Sequence, residues 1–357
     1  MHTASQTAAT ARASRSMPSL REIKDLAFPH VSLWMAVLCL FAVNALWLAA
    51  NPRISIASSW YGVSLLPAVV GLGLMTFRAF RAESFDWFLH RLWCLLMTVL
   101  LTAMLMKNLQ VGNHLLMTIP FPLADATLFS WDRAVGFDWL AYAKAMTTSP
   151  FFTKVLFVAY NDMTFQGLVV VASIAVWLDM RKRVIEIGFL MVSTAFVCMT
   201  VASAFPARAA MDMLADTELL SRLSIGSGVY HLEQLFALRG TEAIVMKPET
   251  MEGLATFPSY HTCLGLIVLW CSRGHWLTGT IGAAVGGAIV AATPIYGGHY
   301  LVDLIAGAFV MLASILIWRR YIQPKLSPRM PGLAAEDFAF PNWLSWSNRK
   351  LRIPGAA

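Results

Sequence analysis

The sequence predicts an all-α fold, a polytopic membrane helix bundle with about eight transmembrane helices. Apolar residues make up 58% of the 357 residues and charged residues only 13%, against roughly 25% charged residues in soluble domains. The apolar residues gather in eight runs, most of them near the roughly 20 residues that a spanning helix needs. Basic residues also divide unequally between the two ends of these runs. This composition excludes a disordered chain, a collagen-like chain and a small disulfide scaffold.

The eight runs contain few charged side chains, and polar or basic segments separate them. They cover residues 31–50, 58–77, 92–106, 157–178, 187–205, 256–272, 276–298 and 300–318. The third run is short, but Lys107 at its end can extend its ammonium group to the membrane interface. The five cysteines lie inside the runs, and we expect them to be apolar packing residues without disulfides.

The basic residues predict the orientation of the bundle. If eight helices alternate from a cytoplasmic N-terminus, 18 of the 27 Lys and Arg residues fall on the inner side. They include the tight turns Arg181–Arg183 and Arg319–Arg320, and such an excess marks cytoplasmic segments. Both termini are therefore expected to be cytoplasmic. Because topology accounts for the net charge of +7, we expect no nucleic acid among the partners.

This topology divides the chain into four parts. They are a cytoplasmic tail (1–30) that does not resemble a cleaved signal peptide, N-terminal transmembrane helices (31–115), a membrane domain with the histidine motifs (116–318), and a second cytoplasmic tail (319–357).

Two long segments, 107–153 and 206–256, fall on the outer side, and loops of this length are usually functional. Phe137–Ala145 could form an amphipathic helix on the membrane surface. Asp132 and Asp138 are expected to cap helices or form turns there, although they could instead line the mouth of a site.

Two histidines stand at helix starts on the outer side, His261 in FPSYHT and His299 in GGHYLVD. His299 and Asp303 are four residues apart, so a helix places them on one face, about 6 Å apart along its axis. An aspartate there can accept a hydrogen bond from one ring nitrogen and leave the other as a nucleophile. Alternatively, Asp303 pairs with another helix and His299 is an interfacial residue. His261 by itself is equally compatible with a structural role.

Together, Phe257–Thr262 and Thr293–Gly307 resemble the second and third signature motifs of the type 2 phosphatidic acid phosphatase superfamily. There, Pro-Ser-x-His is followed some tens of residues later by a His with an Asp four positions on. The details are most similar to the inositol phosphorylceramide synthase-like (inositolphosphotransferase) branch, including Trp131–Trp139 and Leu238–Gly240. The resemblance covers roughly 120–310.

The resemblance implies a role for each motif residue. His299 would be the nucleophile that forms a phosphohistidine, and Asp303 would orient it. His261 would protonate the leaving oxygen and later activate the acceptor, and Ser259 would hydrogen-bond the phosphoryl oxygens. Since a neutral imidazole is not repelled by a phosphate ester, the chemistry requires no metal, and we expect no cofactor.

The sequence also departs from the superfamily's pattern. Ala292 and Thr293 stand where the third motif usually has Ser-Arg, and the first motif, a Lys followed by Arg-Pro, has no match. The cations that bind the phosphate are therefore expected among Arg239, Lys247 and Arg208, each of which could instead be a solvated loop charge. Loss of the Arg at position 293 favours transfer of a phospho-head group over simple monoester hydrolysis.

The function predicted is a metal-independent lipid phosphatase or phospho-head-group transferase in the membrane. Its partners would be membrane lipids, a phospholipid or polyprenyl phosphate at the outer leaflet, and an alcohol or polyol acceptor. A bacterial inner membrane, with the site facing the periplasm, suits the short loops. The alternative is a transporter or flippase for a lipid or anion that uses Asp303 as a coupling residue. A non-catalytic scaffold would predict loss of a key residue, and none is lost.

Overall fold

The computed structural model describes residues 30–60, 87–177, 181–274 and 276–326, together with residues 62, 70, 71 and 73. The described chain is mostly helical. Its helices are α1 (His30–Ala50), α2 (Trp87–Leu116), α3 (Asp125–Ala134), α4 (Trp139–Met146), α5 (Pro150–Asn161), α6 (Met163–Trp177), α7 (Arg181–Ala204), α8 (Ala210–Leu214), α9 (Thr217–Ser221), α10 (Leu232–Arg239), α11 (Tyr260–Cys271), α12 (Trp276–Tyr296), α13 (Leu301–Ile317) and α14 (Gln323–Leu326). The tail at 1–29, the end of the second tail at 327–357 and most of the second predicted span lie outside the described residues.

Four described segments are long and apolar enough to cross a membrane. They are Leu95–Leu116, Arg183–Ala204, Trp276–Tyr296 and Leu301–Ile322. Helices α5 and α6 pass the same test together as a bent pair, whereas the apolar stretches Trp34–Ala50 and Tyr260–Cys271 are shorter. The helical membrane class is thus confirmed, and the described residues provide four or five candidate spans where the hydropathy pattern predicts eight.

The third predicted helix is longer than expected. The hydropathy pattern predicts this helix over residues 92–106 and a loop over 107–153, but α2 continues to Leu116. The polar residues of its last turns face other parts of the protein. Lys107 Nζ donates to the Pro248 carbonyl at 2.9 Å and Asn113 Nδ2 donates to the Met199 carbonyl at 3.0 Å. The end that the hydropathy pattern predicts for this helix is therefore about ten residues too early.

The fourth predicted span, 157–178, is broken. Helices α5 and α6 meet at Asp162 with a bend of 61°. Asn161 Nδ2 donates to the Phe157 carbonyl at 3.0 Å, and Thr164 Oγ1 donates to the Tyr160 carbonyl at 2.7 Å. Such side chains compete with the helical hydrogen bonds of the backbone, which favours a break at this point.

Helix α11 lies at the centre of the bundle and packs against α6, α7, α12 and α13. Two glycines of α12 lie where it meets α11. A Cβ at Gly286 would lie 2.4 Å from the Gly265 carbonyl oxygen, and one at Gly282 would lie 2.2 Å from Ser272 Oγ. The axes of α11 and α12 can approach closely because these side chains are absent.

The four described cysteines, Cys39, Cys198, Cys263 and Cys271, are free thiols. Three of them are buried in the bundle, and Cys198 and Cys263 are in contact, with their Sγ atoms 3.8 Å apart. The three buried cysteines belong to the apolar core, as expected of packing residues, whereas Cys39 is exposed.

The two long segments that are predicted to lie on the outer side are folded rather than open. Helix α4 confirms the helix predicted over Phe137–Ala145, and its Trp139 and Ala143 are buried against the bundle. Two short strands, β1 (Ile54–Ile56) and β2 (Ile244–Met246), pair in parallel and join the segment after α1 to the second outer segment. They are the only strands in the described part of the chain.

Candidate active site

The loop between α12 and α13 presents His299. Its Nδ1 lies 3.1 Å from Asp303 Oδ2, and that oxygen also accepts the backbone N–H of Tyr300 at 2.9 Å. His299 and Asp303 are both buried. The pairing expected from their spacing is therefore present, and an Nδ1–H donated to Asp303 leaves the lone pair on Nε2.

Ser259 begins α11 and contacts the other side of the imidazole. Its Oγ lies 3.4 Å from His299 Nε2 and accepts the Thr262 N–H at 3.3 Å. Its backbone N–H donates to the Asp303 carbonyl at 2.9 Å. The starts of α11 and α13 are thereby joined by a main-chain hydrogen bond, which fixes Ser259 beside His299.

His261 is the second residue of α11. Its Nδ1 lies 3.1 Å from the Tyr160 hydroxyl, and the two rings stack with centroids 4.2 Å apart and planes 22° from parallel. The Tyr160 hydroxyl lies 3.4 Å from that of Tyr230. The Nε2 atom of His261 is thus the ring nitrogen left for a ligand.

Gly297 lies next to the His299 ring and to the tyrosine that contacts His261. A Cβ at Gly297 would lie 2.6 Å from His299 Cδ2 and 2.7 Å from the Tyr160 hydroxyl. The His299 ring and the phenol that contacts His261 therefore face each other across a glycine. The arrangement brings three predicted residues (Ser259, His261 and His299) to the same place, with Asp303 behind His299.

The buried Asp132 holds the end of this loop. Asp132 accepts the backbone N–H groups of Leu301 and Val302, each at 2.9 Å, at the start of α13. Burial raises the pKa of Asp132, and these two hydrogen bonds oppose the rise. Asp138 caps α4 by accepting the Ala141 N–H at 2.9 Å. The expectation that Asp132 and Asp138 cap helices is confirmed.

Removing the Asp132 carboxylate should destabilise the start of α13. Asp132→Ala leaves two N–H groups without acceptors, at a cost of about 1–3 kcal/mol each where they are desolvated. Asp138→Ala, at an exposed cap, should cost about 1 kcal/mol. We expect the thermal midpoint of the detergent-solubilised protein to fall several degrees further for Asp132→Ala than for Asp138→Ala. Equal midpoints would contradict the assigned role of Asp132.

Asp125 holds the neighbouring segment. Its carboxylate accepts the Arg208 N–H at 2.9 Å, the Ala209 N–H at 3.2 Å and the Tyr300 hydroxyl at 3.1 Å. The Ala210 N–H donates to the Gly298 carbonyl at 2.7 Å. The segment containing Arg208 is therefore fixed directly against the His299 loop.

The three predicted cations occupy different environments. The Arg208 guanidinium pairs with Asp212 at 2.6 Å, its side chain is 40% exposed, and its Nε is buried without a partner. Arg239 ends α10 and donates to the Phe121 carbonyl at 2.6 Å. Lys247 is exposed just after β2. Of the three, Arg208 belongs to the segment that is bonded to the His299 loop.

Burial affects the titration of two histidines near the starts of α10 and α13. It lowers the pKa of His299 to about 4, against the opposing effect of a hydrogen bond with the Thr256 backbone. It also lowers the pKa of His231 to about 4, with a further lowering by His299 and opposing effects of Arg208, Asp212 and Asp125. His231 Nε2 lies 2.9 Å from the Arg208 carbonyl. Both imidazoles are therefore neutral at pH 7.

The protein should lose stability as the pH falls from about 6.5 to 4. Over this range the unfolded chain binds a proton at His231 and the folded chain does not, so the free energy of unfolding decreases. At pH 5 the loss from His231 is at most about 2 kcal/mol. The difference in thermal midpoint between wild type and the less stable His231→Gln should therefore narrow between pH 7.5 and pH 5. A constant or widening difference would contradict the assignment.

Several residues of the site carry no sequence signal. Tyr160 lies on α5, about 100 residues before its partner His261, and Asp125 lies far from Tyr300 in the sequence. Trp139 Nε1 donates to the His299 carbonyl at 3.0 Å. Of these four residues, Trp139 and Tyr300 fall in motif segments that resemble the superfamily, and Tyr160 and Asp125 do not.

Among the described residues, no three His, Cys, Asp or Glu side chains come together as a metal site.

The fold and the site together define an integral membrane protein whose helix ends present two histidines, one of them paired with a buried aspartate. A sequence model of the PAP2 superfamily matches residues 126–317. This match covers more than half of the chain and includes all the histidine motifs, so the chain belongs to the PAP2 superfamily. No curated protein and no solved structure matches it. Membership confirms the resemblance at the level of the superfamily and indicates a phosphatase-type activity on a phosphate-ester lipid.

Proposed function

We propose that the protein is a lipid phosphatase or phospho-head-group transferase that works through a phosphohistidine at His299. The observation that carries the proposal is the buried pair of His299 Nδ1 and Asp303 Oδ2, 3.1 Å apart, with Ser259 at Nε2. Asp303 fixes the tautomer, and the low pKa of His299 keeps the imidazole neutral. A neutral nucleophile can approach a phosphate ester without charge repulsion.

In the first step, the Nε2 lone pair of His299 attacks phosphorus, and the bond from phosphorus to the leaving lipid oxygen breaks. His261 gives its Nε2 proton to that oxygen, so the lipid leaves as an alcohol. The Ser259 hydroxyl donates a hydrogen bond to the phosphoryl oxygens. Since the transition state spreads negative charge over those oxygens, hydrogen-bond donors and cations stabilise it.

In the second step, His261 takes a proton from water or from an alcohol acceptor. The resulting oxygen nucleophile attacks phosphorus, and the nitrogen–phosphorus bond to His299 breaks. Water as acceptor gives phosphatase activity, and a lipid or polyol hydroxyl gives transfer. Both reactions use the same residues, and the acceptor is selected by the shape of its binding site.

We assign Arg208 as the principal cation for the phosphoryl group, ahead of Arg239 and Lys247. Arg208 lies four residues after the end of α7. Its segment is joined to the His299 loop by the hydrogen bond between the Ala210 N–H and the Gly298 carbonyl. Its Nε is buried without a partner among the described residues, but so is Arg239 Nη1, and the preference for Arg208 therefore rests on the position of its segment. This arginine would take the place of the one that the superfamily usually has at position 293, where Thr293 donates to the Ile289 carbonyl.

The subgroup, the topology and the orientation that we propose are those that the sequence predicts. The inositolphosphotransferase-like branch remains the proposed subgroup, with eight spans, both termini cytoplasmic and the four-part division at residues 30, 115 and 318. The site would then face the periplasm of a bacterial inner membrane, where a lipid donor reaches it from the outer leaflet. Transport with Asp303 as coupling residue is less well supported, because Asp303 is bonded to the adjacent His299 and Tyr300.

The proposal is tested on the purified protein in detergent with a chelator present. Phosphatidic acid, phosphatidylinositol and a polyprenyl pyrophosphate are each supplied with and without an alcohol acceptor, and free phosphate and new lipids are quantified. We expect turnover of at least one donor, and the ratio of free phosphate to new phospholipid distinguishes phosphatase from transferase. Turnover that requires added metal, or no turnover of any donor, would overturn the proposal and favour transport.

A further inference from the structure

We propose that Tyr160 is a positioning residue that holds His261 in its catalytic orientation through a relay of neutral hydroxyl groups ending at Tyr230. This inference rests on the proposed function, because it assigns a partner to the general acid of that reaction. The buried Asp303 already orients His299. No carboxylate hydrogen bond to His261 is found among the described residues, and its ring partner is the phenol of Tyr160.

The contact between Tyr160 and His261 has two parts. The hydroxyl lies 3.1 Å from Nδ1, and the rings stack with centroids 4.2 Å apart. Tyr160 is itself fixed, since it is buried in the core with Ala292 and Tyr296. Stacking limits tilting of the imidazole, and the hydrogen bond limits its rotation about the Cβ–Cγ bond. Nε2 is thus directed away from the phenol.

The direction of the relay follows from charge. Tyr230 is 39% exposed, and the Glu252 carboxylate exerts a negative potential on both phenol groups. Hydroxyl protons are drawn towards this charge, so Tyr160 donates to Tyr230. The Tyr160 oxygen then accepts the Nδ1–H of His261. With Nδ1–H donated to Tyr160, Nε2 carries the proton for the leaving oxygen when the ring is an imidazolium. In the neutral ring the same atom carries the lone pair that activates the acceptor.

A neutral acceptor suits this role. A carboxylate would stabilise the imidazolium strongly, because hydrogen bonds between ionised groups are about twice as strong as neutral ones. A phenol oxygen stabilises it less, so His261 gives up its proton more readily. The two histidines would therefore have different partners for different tasks, a carboxylate for the nucleophile and a hydroxyl for the acid.

Tyr160→Phe removes the hydroxyl and keeps the stacking ring. We expect kcat on an aliphatic phosphate lipid to fall about 30- to 100-fold, up to the lower end of the roughly 10²–10⁴-fold contribution of general acid–base catalysis, with KM changed less than threefold. Tyr142→Phe is the matched control, since its hydroxyl donates to the Ala291 carbonyl at 2.7 Å outside the relay. It should retain kcat within about twofold.

A substrate with a good leaving group separates positioning from general damage. An aryl phosphate needs little protonation of its leaving oxygen, so the burst of aryl alcohol that reports formation of the phosphoenzyme should slow less than fivefold in Tyr160→Phe. A merely structural role would slow the burst as strongly as turnover of the lipid. An equal loss on both substrates, or a loss equal to that of Tyr142→Phe, would overturn the proposal.

A second readout does not depend on activity. In protein labelled with ¹⁵N-histidine, the signals of His261 are identified by their loss in His261→Gln. We expect one tautomer, with the proton on Nδ1, in the wild type and a mixture in Tyr160→Phe. If the wild type turns over no phosphate ester, but Tyr160→Phe still converts the single tautomer of His261 into a mixture, the proposed function fails and the contact between Tyr160 and His261 stands. A mixture of tautomers in the wild type would refute the contact itself.

Discussion

His299→Ala should reduce turnover of the lipid phosphate by a factor on the order of 10⁴ or more, because it removes the atom that bonds to phosphorus. The expected loss is larger than for any other side chain of the site, since Ser259 and Arg208 only stabilise charge. With a donor labelled in its phosphoryl group, the wild type should also form an acid-labile, alkali-stable phosphoenzyme. The mutant should form none.

His114→Gln is the matched control for this prediction. His114 is also a buried histidine, but it lies near the end of α2 and contacts the Gln110 carbonyl and the Gln234 side chain at 2.9 Å and 3.2 Å. It should keep turnover within a few-fold and form the phosphoenzyme. Turnover within tenfold of wild type in His299→Ala, or a label that persists in it, would exclude His299 as the nucleophile.

Gly297→Ala should abolish most of the activity by adding a single methyl group. The new Cβ would lie 2.6 Å from His299 Cδ2, 2.7 Å from the Tyr160 hydroxyl and 2.8 Å from the Thr293 carbonyl oxygen. The Thr293 backbone cannot easily move, so the imidazole and the phenol must. A displacement of about 1 Å at a catalytic group can cost about 10²-fold in rate, and overpacking costs about 1–3 kcal/mol in stability.

Gly253→Ala provides the comparison, since a Cβ at Gly253 meets nothing within 4 Å. We expect it to have wild-type turnover and thermal midpoint, while Gly297→Ala loses about 10²-fold in kcat and a few degrees. Activity of Gly297→Ala within threefold of wild type would mean that the His299 ring and the Tyr160 phenol do not face each other across this glycine.

The helical membrane class could be predicted because it depends on composition, which the bilayer constrains strongly. Helix boundaries depend on partners that the sequence does not reveal. Lys107 and Asn113 are polar residues that a hydropathy pattern places in a loop, yet their side chains donate hydrogen bonds to the Pro248 and Met199 carbonyls within the protein. The break at Asp162 is of the same kind, since local side-chain bonds decide it and a hydropathy average does not detect them.

For the site, spacing was informative only within one helix turn. Asp303 was recognisable as the partner of His299 because four residues make one turn. Tyr160 and Asp125 reach the site from helices far away in the sequence, and no periodicity connects them to their partners. The sequence predicts that Asp132 caps a helix. It does not predict that this helix is α13, which lies about 170 residues further along the chain.

The hydrogen bond between the Ser259 N–H and the Asp303 carbonyl has a consequence for motion. It joins the first turns of α11 and α13, which carry His261 and Asp303, into one unit. Thermal displacement of either helix therefore moves both histidines together and preserves their separation. Helix α5 is outside this unit and ends at the bend beside Asp162. A fluctuation of α5 would thus move Tyr160 relative to His261, while the starts of α11 and α13 stay joined.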